Sequence, residues 1–231
     1  MPERTAPLVA VLWDMDGTLV DTEPYWIATE FALAEEFGVS WTQEFALQLV
    51  GNDLLVSARF IKEHMGLPIA AEEIVQRLLD GVVARVEQHV PWRPGARELL
   101  TDLKAAGVPC ALVTMSYTRF VEPILAALPP GTFDAVVTGD QVSRGKPHPE
   151  PYLTAAAALG VDAADCLAIE DSETGCRSAE AAGCTVLAVP NHVTIEPGEQ
   201  RVFRESLVGL DPALLATLLT PAGGASTTGR W

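Results

Sequence analysis

Basic residues are scarce: 15 Lys and Arg stand against 31 Asp and Glu, for a formal charge of -16. No basic stripe is left to neutralise a phosphate backbone, so nucleic acid is not an expected partner. The same acidity repels small phosphate esters at long range. Screening over roughly 8 Å leaves that decision to charges near a site, where a local cation must do the attracting. Cysteine is sparse as well. Cys110, Cys166, Cys176 and Cys184 stand far apart with no CxxC pair, and a chain of this size needs no disulfide staples. They read as buried thiols in a reducing cytoplasm. Long hydrophobic runs are missing too. Leu8–Trp13 is short, no charged N-terminal region leads into an apolar stretch, and nothing approaches about 18 continuous apolar residues. Neither an export signal nor a membrane span is expected.

What is present is ample apolar material, 48% of 231 residues, enough for one core with a smaller insertion. Short apolar runs recur at Leu8–Trp13, Pro109–Val113, Ala135–Thr138, Cys166–Ile169 and Cys184–Val189. Helix-like stretches separate them at Gly95–Ala106, Thr118–Ala127, Pro149–Leu159 and Ser172–Ala182. Glycines at 107, 160 and 183 read as helix stops. Pro123 should cost the second of these helices a backbone hydrogen bond or kink it. The alternation predicts an α/β fold with a parallel sheet.

Roughly a hundred residues lie between the first two predicted strands, far more than a crossover needs. From about Glu23 to Val90 the apolar residues fall at helical spacing, as in Ile27, Phe31, Leu33 and Phe37. A helical bundle is therefore expected over 23–90, inserted into an α/β core formed by 1–22 and 91–220. The Gly- and Thr-rich end, 221–231, reads as a frayed tail.

Asp14 and Asp16, in DMDGT, follow the first apolar run directly, at the edge of a parallel sheet where ligands bind. Two such close acids repel each other unless a cation or a proton is shared. Capping aspartates in a turn would be the plainer reading. An EF-hand loop starting at Asp14 would need Gly at its sixth position and Glu at its twelfth, where Leu19 and Tyr25 stand. Three further polar features end later strands or open later helices. Thr114, Met115 and Ser116 close the second strand, where a hydroxyl and backbone N–H groups can hold phosphate oxygens. Lys146 stands before Pro147 in a restricted backbone. Glu170 and Asp171 end the fourth strand, where Ser172 alone would have served as a helix cap.

In this order the four features resemble those of the haloacid-dehalogenase-like phosphatases, over residues 8 to about 190. The resemblance implies a Rossmann-like doubly wound sheet with a helical cap between the first and second motifs. It implies Mg²⁺ held by the carboxylates of Asp14 and Asp171 and the backbone carbonyl of Asp16, with Glu170 at hand. It also implies Asp14 as nucleophile, Asp16 as acid and base, and Lys146 and Thr114 on the phosphoryl oxygens. From the cap, Trp26 and the Gly51–Asp53 turn with Asn52 would face the substrate.

DTEPYW is similar to the same stretch in sugar- and hexitol-phosphate phosphatases, so the expected substrate is a small sugar or polyol phosphate. A β-phosphoglucomutase-like mutase is the alternative. It would need a second phosphate clamp, and Val50 and Leu54 are apolar where basic residues would be required. Dehalogenase and phosphonate-hydrolase readings fit Asp16 and the metal acids less well. A non-catalytic phospholigand-binding module is the alternative from another class. A monomer is expected.

Overall fold

The fold is described from a computed structural model, which covers residues 8–49 and 54–219. The turn with Asn52 and the tail 221–231 lie outside the described residues.

Six parallel strands form one sheet: β1 (Ala10–Trp13), β2 (Cys110–Val113), β3 (Ala135–Val137), β4 (Cys166–Glu170), β5 (Thr185–Ala188) and β6 (Arg201–Phe203). Their order across the sheet is β3-β2-β1-β4-β5-β6. The chain therefore starts in the middle, builds outward to β3, and returns to the other side of β1. That reversal leaves a crevice at the carboxyl ends of β1, β2 and β4, the switch point of a doubly wound sheet.

The strands are apolar because both faces are covered. Val11, Trp13, Leu112, Leu167 and Ile169 point into one core layer. Ala10, Leu12, Ala111, Val113 and Ala168 point into the other. The alanines on the second face leave room for α7 (Glu150–Leu159) and α8 (Glu173–Ala181), which pack there. Helices α5 (Ala96–Ala105) and α6 (Thr118–Ala126) complete the crossovers, and α9 (Pro212–Leu218) packs on α5. Pro123 sits inside α6, which continues past it.

Between β1 and α5 the described residues form the helices α1 (Glu23–Glu36), α2 (Gln43–Leu47), α3 (Leu54–Met65) and α4 (Ala71–Gln88). Helix α4 buries Ile74, Leu78, Val82 and Val86 along one stripe, and it packs on α1, α3 and α6. The two connections into this insertion are tied to each other. Asp21 N donates to Pro91 O at 2.8 Å and Arg93 N to Leu19 O at 3.0 Å. Both also hold the loop after β5, through Arg93 to Asn191 Oδ1 at 2.6 Å and Asp21 to His192 Nε2 at 2.8 Å.

Strand β6 and helix α9 were not among the predicted elements. The Arg201 side chain, almost fully buried, fixes β6 by pairing with Glu173 and Glu180 at 2.6 Å each. All four cysteines are buried and free of disulfides, and burial pushes the Cys110 thiol up to about 12. Among the described residues no helix is long and apolar enough to cross a membrane.

Candidate active site

The strand ends at the crevice deliver polar residues: Asp14 from β1, Thr114 from β2, and Glu170 with Asp171 from β4. The amide of Asp14 donates to Ile169 O at 3.0 Å, extending the β1–β4 ladder by one bond and fixing the Asp14 backbone. Thr114 is fixed in the same way, its amide donating to Val137 O at 2.9 Å. Glu170 is the last residue of β4, and Asp171 follows it. One oxygen from each of Asp14, Glu170 and Asp171 can be chosen so that all three lie within 4.8 Å of one another.

Lys146 reaches this cluster from the loop after β3. Its ammonium donates to Asp14 Oδ1 at 2.6 Å, Glu170 Oε1 at 2.7 Å and Val113 O at 2.9 Å. Glu170 is fully buried, and it also accepts from Tyr152 Oη at 2.6 Å and Ser172 Oγ at 3.1 Å. Asp14 Oδ2 is buried and has no hydrogen-bond partner. An orphaned carboxylate oxygen is costly unless something absent from the protein itself satisfies it.

Asp16 lies apart from the three-acid cluster. Ser116 Oγ donates to its Oδ2 at 2.5 Å, and the Thr22 hydroxyl donates to its Oδ1. From Met15 to Val20 the chain turns sharply, with Leu19 N and Val20 N both donating to Met15 O and Gly17 N donating to Val20 O. Gly17 has φ +85°, and a Cβ there would lie 1.9 Å from Asp171 Oδ2. Gly17→Ala would therefore impose both backbone strain and a steric clash. The expected loss is about 3 kcal/mol or more of stability, together with loss of any metal-dependent thermal shift. A thermal melt with and without divalent metal checks both.

Electrostatics point the same way. Burial, then repulsion from Glu170, pushes Asp14 up to about 7, although Lys146 opposes the shift. Burial, then Asp14 and Glu170, pushes Asp171 up to about 9. Burial also raises Asp16, against the two hydroxyl bonds. For Lys146 burial acts downward, yet Asp14 and Glu170 outweigh it and hold the ammonium above its usual value. One ammonium among three buried carboxylates leaves an excess of negative charge. Hard oxygen donors, an orphaned oxygen and that excess fit a divalent cation.

The structure thus brings together Asp14, Asp16, Thr114, Ser116, Lys146, Glu170 and Asp171 at one sheet edge, with Met115 beside Lys146. The Trp26 ring meets Phe120 of α6 edge to face, with centroids 5.4 Å apart, so it lies in the seam between insertion and core. Asn52 is outside the described residues. Two partners of the site were not foreseen. Tyr152 looks like an ordinary helix residue in PYLTA, and Thr22 looks like a cap for α1. No local pattern marks Tyr152, whereas Thr22 could have been noticed for lying six residues beyond Asp16.

A family model described as "Haloacid dehalogenase-like hydrolase" matches residues 11–189. Hexitol phosphatase B of Escherichia coli (strain K12) is 32% identical over 187 residues, covering 79% of this chain and 84% of its own length. The phosphorylated carbohydrates phosphatase of Thermotoga maritima is 33% identical, covering 75% and 81% respectively. Among solved structures, CbbY from Rhodobacter sphaeroides in complex with phosphate superposes with a TM-score of 0.75 at 26% identity, over 87% of this chain and 96% of that one. The crevice, its acids and these likenesses agree, and the chain belongs to the haloacid dehalogenase-like hydrolases.

Proposed function

We propose that the protein hydrolyses small phosphate monoesters of the sugar or polyol class, passing the phosphoryl group through Asp14. The observation that carries the reading is the buried pair of Lys146 and Asp14. One Asp14 oxygen is held at 2.6 Å by the ammonium, and the other is buried without a partner. A carboxylate fixed at a sheet edge beside an ammonium is well placed to attack a phosphoryl group held there, which supports Asp14 as the nucleophile.

Lys146 would hold one phosphoryl oxygen. Thr114 Oγ1 accepts from the Ser116 amide at 3.0 Å, which leaves the hydroxyl its own proton to donate to another. Attack by Asp14 forms a bond to phosphorus and breaks the ester bond, and Asp16 gives its proton to the departing oxygen. The Asp16 carboxylate then takes a proton from the water that attacks the aspartyl-phosphate. Inorganic phosphate leaves, and Asp14 is a carboxylate again. The raised affinity of Asp16 for its proton suits that exchange. Mg²⁺, held by Asp14, Asp171 and the Asp16 carbonyl with Glu170 beside them, would cancel the charge that otherwise keeps a phosphate dianion away from a carboxylate.

Residues 23–90 would act as a cap over the core formed by 1–22 and 91–220, with Trp26 and Asn52 as the contacts that select the leaving group. The names of the relatives support the substrate class. The protein would act as a monomer in the cytoplasm, with neither nucleic acid nor membrane as a partner.

The test is phosphate release from a panel of sugar, polyol and nucleotide monophosphates, with Mg²⁺ and with chelator. Metal-dependent release, strongest on sugar or polyol phosphates, is expected. Conversion of β-glucose 1-phosphate to the 6-phosphate without release would establish the mutase instead. No turnover of either kind would leave a binding module.

A further inference from the structure

Met115 follows Thr114, just beyond β2, and its side chain is partly buried. Its sulfur lies 3.2 Å from the Lys146 backbone N–H, which donates to it. Glycine stands on the facing loop in two places where Met115 comes close. A Cβ at Gly145 would be 2.7 Å from the Met115 sulfur, and one at Gly139 would be 2.2 Å from the Met115 carbonyl oxygen. Gly139 N also donates to Ser116 O at 3.0 Å. The segment after β2 and the loop that carries Lys146 are thus fitted to each other, with the thioether between them.

A thioether is a weak acceptor, so its contribution is mostly shape and polarisable contact from an unbranched side chain. At the far end of the lysine the demands are strict. The ammonium meets three acceptors between 2.6 and 2.9 Å, and its side chain is 5% exposed. Buried and held by three acceptors, the side chain has little room to swing and compensate for a displaced loop.

We infer that Met115 is a positioning residue for Lys146, setting where the lysine loop enters the crevice and so where the ammonium meets the transferred phosphoryl group. The inference rests on the reading of Lys146 as a phosphoryl clamp. A residue that merely fills space would act on the fold at large, independently of the lysine. Met115 instead acts through it.

A double-mutant cycle on the full chain tests this, with p-nitrophenyl phosphate as substrate and Mg²⁺ present. Met115→Ala lowers kcat/KM between about ten- and a hundredfold, mainly through kcat, and Met115→Leu recovers most of the loss by restoring volume. In a Lys146→Ala background, Met115→Ala changes kcat/KM by less than about twofold, because the group it positions is gone. Gly145→Ala, on an exposed loop residue, pushes the thioether aside and gives a loss in the same direction, also absent without Lys146. This variant decides the matter if Met115→Ala does not fold. Equal losses in both backgrounds, or a Met115→Ala enzyme as fast as wild type, would overturn the inference. A wild type that releases no phosphate would instead overturn the phosphatase reading itself.

Discussion

Asp14→Asn abolishes turnover, by about 10⁴-fold or more, and leaves the protein folded. The amide keeps the shape of the carboxylate but cannot form an acyl phosphate. Glu170 and Asp16 do not replace it: Glu170 is occupied by Lys146, Tyr152 and Ser172, and Asp16 by Ser116 and Thr22. Stability should not suffer. Burial and the neighbouring Glu170 push Asp14 up to about 7, so above that pH its charge is a net burden on the metal-free fold. The variant should melt no lower than wild type at pH 8 without metal, measured beside its phosphate release. A melt several degrees lower would mean that inactivity reflects unfolding.

Removing the metal should have the second large effect. With chelator, activity falls to background, and the protein also becomes sensitive to alkali. Asp14 and Asp171 are raised from an ordinary 3.8 to about 7 and about 9. Between pH 4 and 9 the metal-free folded state therefore holds more protons than the unfolded chain, and its stability falls as pH rises through that window. A cation binds the ionised carboxylates and releases those protons, so its affinity rises with pH. At about a hundred times its Kd, Mg²⁺ would add about 2.7 kcal/mol, roughly 5–10 °C in Tm. The gain should be larger at pH 9 than at pH 6. Melts at the two pH values, with chelator and with MgCl₂, give the comparison. A shift that is absent, or larger at pH 6, would mean that the three acids do not share a cation.

The sheet was legible because its central strands are buried on both faces and so appear as short apolar runs, as in Cys166–Ile169. The polar residues that follow those runs fall at one edge by topology alone, so the placement of Asp14, Thr114 and Asp171 was legible in the sequence. Strand β6 was hidden because Arg201–Phe203 has no apolar run. Its place depends on Arg201 meeting two glutamates of α8 more than twenty residues earlier. Helix α9 did carry a local signature: Asp211 caps it, accepting from Leu214 N at 2.7 Å, and Pro212 opens it. Within the site, residue type and order revealed the charged groups but not the roles that depend on distance. Glu170 stood beside Asp171 as another acid, yet its buried oxygens serve Lys146, Tyr152 and Ser172. Met115 passed as one of three residues closing β2, because contact between its sulfur and the amide of Lys146, 31 residues on, leaves no trace in spacing.

The most direct measurement is an acid quench during turnover with a labelled sugar phosphate and Mg²⁺, followed by mapping of any phosphorylated peptide. The expected result is a hydroxylamine-sensitive phosphoryl group on the peptide bearing Asp14, absent in Asp14→Asn. Rapid phosphate release with no labelled protein, and with Asp14→Asn still active, would contradict the proposed chemistry.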